Sequence, residues 1–420
     1  MMEIVADLHI HSRYSAATSK DMKISTIAYY GKMKGLDLIG TGDALHPKWL
    51  QELEEELIPE GNGLYLSKSV SNSPRFMVTV EVATVFEYGG KSRRIHHLIL
   101  LPSLDEAKQL SDLLKTKGDL SQDGRPTFNI TAAELIDLTT SVSREIEVIP
   151  AHIWTPWWSI FGSVSGFNRV EECYQDRAGE VHALETGLSS DPLMNWRLSR
   201  LDRYLLVSNS DSHSPLPHRL GREANVFELT ELKYSEVISA LRRSGGSRLK
   251  YTIETYPQYG KYHWTGHRGC GVSMSPQDAL KVNCICPRCG KKMTLGVEQR
   301  VEELADRPLG YKPKNTPDFK YMLPLGEIIS SVLGSSLFTK TVQSIYKVLI
   351  EAFGSEFDAA FNASYTEISR LAGPEVASAI KAVRDNKVQI KPGFDGVYGE
   401  ISFPHLQGEK VLKGTLDDWA

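Results

Sequence analysis

Histidines and carboxylates in this 420-residue chain recur at spacings that suit a divalent metal. Near its start the chain reads "ADLHIHSRYS", with Asp7, His9 and His11 two residues apart. In an extended strand, residues i, i+2 and i+4 share one face, so the three side chains are expected to point the same way. An imidazole pair on a rigid strand can grip one cation, and a carboxylate from another strand can complete or bridge the site. "NSDSH" repeats the spacing with Asp211 and His213. Glu81 ends "FMVTVE" and is the natural bridge. His152 ends "VIPAH", and His96 and His97 lie inside "RIHHLILL". Asp43 ends "LDLIGTGD", with His46 three residues on. Each residue alone has a plainer reading: a core histidine, an N-cap or turn aspartate, a glutamate paired with arginine. Their recurrence at the ends of apolar runs makes a multinuclear metal site the expectation. Such metals lower the pKa of a water, neutralise phosphate oxygens and stabilise a leaving oxygen, so no nucleophilic Ser or Cys is required. Cys173 reads as a small buried residue.

The other four cysteines lie within residues 270–289. His267-x-x-Cys270 and Cys286-x-x-Cys289, fifteen residues apart, have the spacing of a closed structural zinc site in a zinc-finger-like module. The fourth ligand is His267 or Cys284; His267 is preferred because it pairs with Cys270 as the two knuckle cysteines pair. Residues 242–314 carry 14 Lys/Arg against 6 Asp/Glu, a net +8, while the rest carries 34 against 46, a net −12. Lys281, Arg288, Lys291 and Lys292 surround the cysteine motif, and Tyr262 and Trp264 precede it. Cations interleaved with aromatics suit nucleic acid, where phosphates are neutralised and bases stack.

These residues need a scaffold. Seven apolar runs end in metal-capable residues: "EIVADLHIH", "LDLIGTGD", "RFMVTVE", "RIHHLILL", "EIEVIPAH", "VHALE" and "YLLVSNSDSH". Helical patterns such as "SLDEAKQLSDLLKTKG" alternate with them. Alternation argues for a parallel α/β architecture that could close into a barrel, whose active site collects at the C-terminal strand ends. The expected organisation is a barrel over 1–230, a linker helix over 231–249, a zinc-binding basic module over 250–312, a helical C-terminal domain over 313–405 and a tail over 406–420. No apolar run of about 18 residues suggests a membrane span. The N-terminal segment has no secretory pattern, and the expected location is cytoplasmic.

Residues 1–230 resemble the PHP (polymerase and histidinol phosphatase) superfamily, a distorted seven-stranded β/α barrel. The resemblance implies three metals. His9, His11, Glu81 and Asp211 would hold the first. Glu81, His97 and His152 would hold the second, and Asp43 and His213 the third. "TGDALH" stands where many members have Thr-Asp-His, and "SRYSAATSK" lacks a further third-site histidine. The third ion would then be weaker, or Mg²⁺ or Mn²⁺ rather than Zn²⁺, with His46 as a compensating ligand. A PHP barrel followed by "KYHWTGHRGCGV…ICPRCG…GVEQRVEELADRP" resembles endonuclease Q, a family of repair nucleases. That resemblance implies incision of single- or double-stranded DNA 5′ to deaminated bases (uracil, hypoxanthine, xanthine) and abasic sites. The damaged nucleotide must leave the stack, and "HIWTPWWSIFGSVSGFNRVEECYQD", residues 152–176, would supply a pocket or wedge. Trp154, Trp157, Trp158 and Phe161 suit either that role or the core. The tail "KGTLDDWA" resembles a sliding-clamp (PCNA) interaction peptide, with Lys413, Leu416 and Trp419 as its contacts. The competing readings are a histidinol-phosphatase-like small-molecule phosphatase and a non-catalytic DNA-binding scaffold.

Overall fold

A computed structural model describes residues 1–406 and the backbone of 411–413. The first twelve strands are β1 (Met2–Asp7), β2 (Leu38–Gly40), β3 (Leu57–Pro59), β4 (Tyr65–Ser67), β5 (Arg75–Tyr88), β6 (Lys91–Leu101), β7 (Thr127–Phe128), β8 (Glu147–Pro150), β9 (Ala183–Glu185), β10 (Leu205–Val207), β11 (Ala224–Leu229) and β12 (Arg248–Glu254). Each of the seven apolar runs contains one of them. β5 is the longest, and Phe76 to Thr84 are buried without a break, as expected of a strand covered on both faces.

The fold is mixed α/β. β1, β2 and β5 pair in parallel, but β6 runs antiparallel to both β5 and β8. The cause is the two-residue turn Gly89-Gly90. Both glycines have positive φ (60° and 72°), the backbone that a tight type I′ hairpin requires. The expected all-parallel arrangement is therefore broken at β6. β9 and β10 form a separate parallel pair. β8 meets β9 through Ile153 N–H donating to the Glu185 carbonyl, and the end of β1 meets the end of β10 through the Ile10–Ser212 bridge. Flanking helices are capped by side chains: Ser103 and Thr131 accept from the N–H groups of Asp105 and Glu134, which satisfies first-turn donors.

Residues 231–249 are not a linker. Helix Tyr234–Leu241 buries Tyr234, Val237, Ile238, Ala240 and Leu241, and β12 extends the main sheet beside β11. Those five buried apolar side chains fix the segment to the sheet. β13 (Thr265–His267) and β14 (Val272–Met274) form a small hairpin in the cysteine region, and β15 (Asp318–Tyr321) returns to pair in parallel with β12. The excursion also rejoins the main core earlier, through Val297 and Val301 of helix Val297–Leu304.

The C-terminal part has its own core. Helices Leu325–Leu333, Lys340–Phe353, Tyr365–Ala372 and Pro374–Arg384 pack around Ile329, Leu349, Ile368 and Ile380. They carry a sheet of β16 (Gln389–Lys391), β17 (Glu400–Ser402) and β18 (Val411–Lys413). This part is therefore not purely helical, and Lys413 stands in a strand opposite Glu400 rather than in an open tail. Leu416 and Trp419 lie outside the described residues. One fully buried ion pair joins this part to the region of the main sheet. Lys34 Nζ lies 2.8 Å from Glu356 Oε1 and donates to the Pro217 carbonyl, while Glu356 accepts from Leu325 N–H and Tyr346 OH. The extra hydrogen bonds are what a buried pair needs to offset its desolvation.

Candidate metal centre

Glu81, midway along β5, divides a ring of histidines into two groups. Its Oε1 faces His96 Nδ1 at 2.7 Å and His152 Nε2 at 3.1 Å. Its Oε2 faces His11 Nε2 at 3.2 Å and His9 Nε2 at 3.6 Å. Asp211 Oδ1 closes the second group, 3.0 Å from His11 Nε2 and 3.6 Å from His9 Nε2. The donor atoms of His9, His11, Glu81 and Asp211 all lie within 4.8 Å of one another, as do those of Glu81, His96 and His152.

The outer nitrogens of the first two histidines are held alike. His9 Nδ1–H donates to Glu185 at the end of β9, 3.0 Å from both oxygens. His11 Nδ1–H donates to Asp43 Oδ1 at 3.1 Å. Each carboxylate orients its imidazole so that Nε2 faces Glu81, an arrangement typical of metal-bound imidazole. His9 Nε2 is buried without a hydrogen-bond partner. Such an orphan is costly unless something occupies the point it faces. Burial opposes the charging of His9, but Glu185, Asp211 and Glu81 outweigh it and hold its pKa well above the usual range. His11 behaves likewise beside Asp43 and Asp211. Burial also opposes the charging of Glu81, yet His96 and Arg125 hold it well below the carboxylate range. Burial lowers His96 to about 4, so its lone pair is free to coordinate. The centre therefore calls for positive charge, and its donors fit divalent cations.

Three residues of the site have left-handed backbone. His152, Asp43 and Asp211 have φ of 30°, 49° and 47°, a region that non-glycine residues enter at a cost of about 1–3 kcal/mol. Gly124 lies so close to Asp43 that a Cβ would fall 2.2 Å from Oδ2.

The pleat decides which histidine joins Glu81. Glu81 pairs with Leu98 and Ala83 with His96, so Glu81 and His96 share a face, while His97 lies opposite Val82 on the other. The expected ligand His97 instead bonds Thr84 Oγ1 at 2.9 Å and Tyr174 OH at 2.7 Å. Among the described residues, Asp43 and His213 belong to neither of these groups of three or more donors. Asp43 is bound to His11, Ser12 N–H and the Ser15 hydroxyl. His213 Nδ1 donates to the Asp211 carbonyl, and its ring rests 4.4 Å from that of His11. His46 stacks on Tyr14 and bonds the Ser121 carbonyl. Asp7 leaves the histidines altogether. β1 ends at Asp7, so the alternating face is not continued, and its carboxylate accepts from Ser210 and Gly221. Sequence reasoning missed Glu185 and Arg125. Glu185 ends the run "VHALE", a signal of the same kind as Glu81. Arg125 follows "QDG" in a loop and gave none.

In the cysteine region, His267, Cys270, Cys286 and Cys289 bring their donors within 4.8 Å of one another. Cys284 is not in that group. Burial raises the Cys286 thiol, but the N–H groups of Arg288 and Cys289 outweigh it and lower Cys286 to about 6, which favours the thiolate that metals bind. Three sulfurs and one imidazole fit Zn²⁺.

A family model described as the MJ0043 C-terminal domain matches residues 324–387. The MJ0043 protein of Methanocaldococcus jannaschii is 36% identical over 272 residues, covering 63% of this chain and 33% of that protein. The chain thus spans about a third of that relative's length. The protein YqxK of Bacillus subtilis is 26% identical over 418 residues, covering 96% of this chain and all of that one. Two solved structures match at TM-score 0.86 and 35% identity over the whole chain. One is the lesion-specific endonuclease PfuEndoQ of Pyrococcus furiosus, 98% covered. The other is endonuclease Q in complex with a 27-mer duplex carrying an abasic lesion at its active site, covered completely. The chain belongs to the endonuclease Q family. It is a DNA-cleaving hydrolase by that membership.

Against that family background, the basic segment is less open than its +8 charge suggests. Arg242 pairs with Glu147 and Arg307 with Asp202. Arg243 donates to the Tyr204 carbonyl, and Arg300 to those of Phe161 and Phe167. Arg288 donates to the Cys270 carbonyl and Lys281 pairs with Asp278. Lys291 and Lys292 are exposed. Trp264 donates its indole N–H to Glu298, and Tyr262 meets exposed Trp157 edge-on at 5.5 Å. Trp154 and Phe161 are core residues packed on each other, whereas Trp158 covers His96. No described helix is long and apolar enough to cross a membrane.

Proposed function

We propose that this endonuclease Q hydrolyses the DNA phosphodiester 5′ to deaminated bases and abasic sites, using two divalent cations at Glu81. The observation that carries the reading is the buried, unpartnered His9 Nε2 facing Glu81 and Asp211. His9, His11, Glu81 and Asp211 would hold one cation; Glu81, His96 and His152 would hold the other. Cations bound there lower the pKa of an attacking water and neutralise the phosphate and leaving oxygens. The protein's part is to fix the donors. Glu185 and Asp43 orient His9 and His11, and Thr155 Oγ1, 3.2 Å from His152 Nδ1, steadies His152. Asp43 acts through His11, and His213 packs beside it. The seven strands are read as a distorted PHP barrel with its active site at the strand ends.

The Cys-His group is read as a structural Zn²⁺ site that presents Lys291, Lys292 and neighbouring residues to DNA. Trp157, exposed beside Tyr262, suits a wedge where a nucleotide leaves the stack. Mg²⁺, Mn²⁺ or Zn²⁺ suits the mixed carboxylate–imidazole centre. Clamp binding through Lys413, Leu416 and Trp419 remains a further part of this proposal, resting on the sequence pattern alone. A small-molecule phosphatase would leave the basic zinc region without a role.

The test uses duplexes carrying one uracil, hypoxanthine or abasic site, with Mg²⁺ or Mn²⁺. A single nick 5′ to the lesion is expected, absent from undamaged DNA. Asp211→Ala should lose the nick and keep DNA binding. Equal cleavage of damaged and undamaged duplexes would overturn the lesion specificity.

A further inference from the structure

Arg125 is the basic side chain that reaches the centre. Its Nη1 lies 3.2 Å from Glu81 Oε2, the oxygen that also faces His9 and His11. Glu81 is its one ion pair among the described residues. The guanidinium is well packed, but about a quarter of the side chain (26%) is exposed, so it stands at the mouth of the site with one side to solvent.

The loop that carries it is held on both sides. Gly124 N–H donates to the Tyr14 carbonyl, and a Cβ on Gly124 would strike Asp43 and Ser15. Asp123 accepts from Arg125 N–H and Ala16 N–H. On the other side Ala83 N–H donates to the Pro126 carbonyl, and β7 pairs with β5 at Ala83 and Thr84. The anchor at Ala83 lies two residues along β5 from Glu81, so the loop holds Arg125 level with Glu81.

Glu81 Oε2 cannot serve a cation and a guanidinium equally. A cation between Oε2, His9 and His11 would take the lone pair that Arg125 now uses and repel the guanidinium by like charge. The loop anchors hold the Arg125 backbone in place, so the side chain has only its own rotamers with which to move. At the open mouth the group that needs a planar, bidentate cation is a phosphate.

We propose that Arg125 is a substrate-binding residue that leaves Glu81 when the centre is loaded and grips a non-bridging oxygen of the scissile phosphate. This rests on the endonuclease reading above. The alternative is that Arg125 merely neutralises Glu81.

The experiment compares wild type, Arg125→Ala and Arg125→Lys as full-length holoenzymes. Two duplexes with one abasic site are used, differing only in the linkage 5′ to it: a phosphodiester or an uncharged methylphosphonate. Binding is read by anisotropy with Ca²⁺, turnover with Mn²⁺, and Mn²⁺ affinity by titration without DNA. Wild type is expected to bind the charged linkage more tightly, and Arg125→Ala to bind both alike. Arg125→Ala should lower kcat by about 10²–10³-fold with Mn²⁺ affinity kept or raised, and Arg125→Lys should recover part of both effects. An unchanged preference for the charged linkage in Arg125→Ala would overturn the proposal, as would a rate loss matched by lost Mn²⁺ binding. Failure of the wild type to nick the charged duplex would instead strike at the endonuclease reading, since the binding comparison is read without turnover.

Discussion

The donors around Glu81 come from positions 9 to 211, whereas those of the cysteine group come from the 23 residues between His267 and Cys289. The first set, all but Asp211 buried, lies against the largest core among the described residues, and the outer nitrogens of His9 and His11 are tied by Glu185 and Asp43. The second set sits over a cluster of four buried residues, Val272, Ala279, Cys286 and Met293, with Cys289 exposed. A core that small does not hold a fold by itself. The difference teaches where the stability comes from. A large core brings the Glu81 donors together, whereas a cation bound by the cysteine group would supply a crosslink that its small core lacks.

The sharpest way to break this comparison is at the neighbouring histidines. His96→Ala should remove one of three donors on the Oε1 side and cost on the order of 10³-fold in cleavage, with the thermal midpoint little changed. His97→Ala should do the reverse. It leaves Tyr174 OH and Thr84 unpaired in the core, costs about 2–4 kcal/mol, and keeps cleavage within a few-fold. Rates and denaturation curves on both variants decide it; equal activity loss would show that the pleat does not govern ligand choice.

Next in size is Glu185→Gln. The amide can still meet His9 Nδ1 but no longer strengthens the imidazole as a ligand, and outer partners of this kind are worth about 10–100-fold in metal affinity or activity. Metal titration on the variant would show this as weaker binding with the fold intact. An unchanged affinity would mean that Glu185 serves only to hold His152 N–H and Asn209.

The cysteine region should answer differently. Cys286→Ser is expected to raise protease cutting within residues 263–295 by about tenfold or more, while the main unfolding transition shifts by only a few degrees. Limited proteolysis followed by mass spectrometry measures both. A loss of the whole fold would contradict the separation of the two sites.

Much of the centre was legible because strands put chemistry at their ends. The seven apolar runs each hold a strand, and Glu81, His9, His11, His152 and Asp211 converge as their spacing suggested. What was misread followed from topology. Read as seven strands alternating with helices, the chain hides that "YGGK" is a two-residue hairpin. With Tyr88 opposite Lys91, the register runs back to Glu81 opposite Leu98, and His96 rather than His97 follows from the alternation. That signal was present in the sequence. Arg125 was not readable, because its place depends on Gly124 packing against Asp43, a contact between segments 81 residues apart. The part Asp43 plays was hidden for a similar reason: its partners His11, Ser12 and Ser15 come from a different segment.

An effect on stability alone lies beneath the centre, where the region of the main sheet again differs from the cysteine hairpin. Glu223 and Glu254 are fully buried, and Ser208 Oγ lies 3.0 Å from an oxygen of each. A hydroxyl has one proton to give, so one carboxyl must carry its own. Burial raises Glu223 to about 8, and burial with the neighbouring Glu223 charge raises Glu254 well above its usual range. A carboxyl raised on folding binds its proton in the native state where the unfolded chain has already lost it. Its contribution is therefore complete below about pH 4.5 and is lost as pH rises toward about 8, with a slope of at most about 1.4 kcal/mol per pH unit for one group. Glu223→Gln supplies a permanent donor to Ser208. Its stability should match wild type near pH 4.5 and exceed it near pH 8. Urea denaturation at both pH values measures the crossing; parallel stability curves for the two proteins would mean that the proton is not held at this pair.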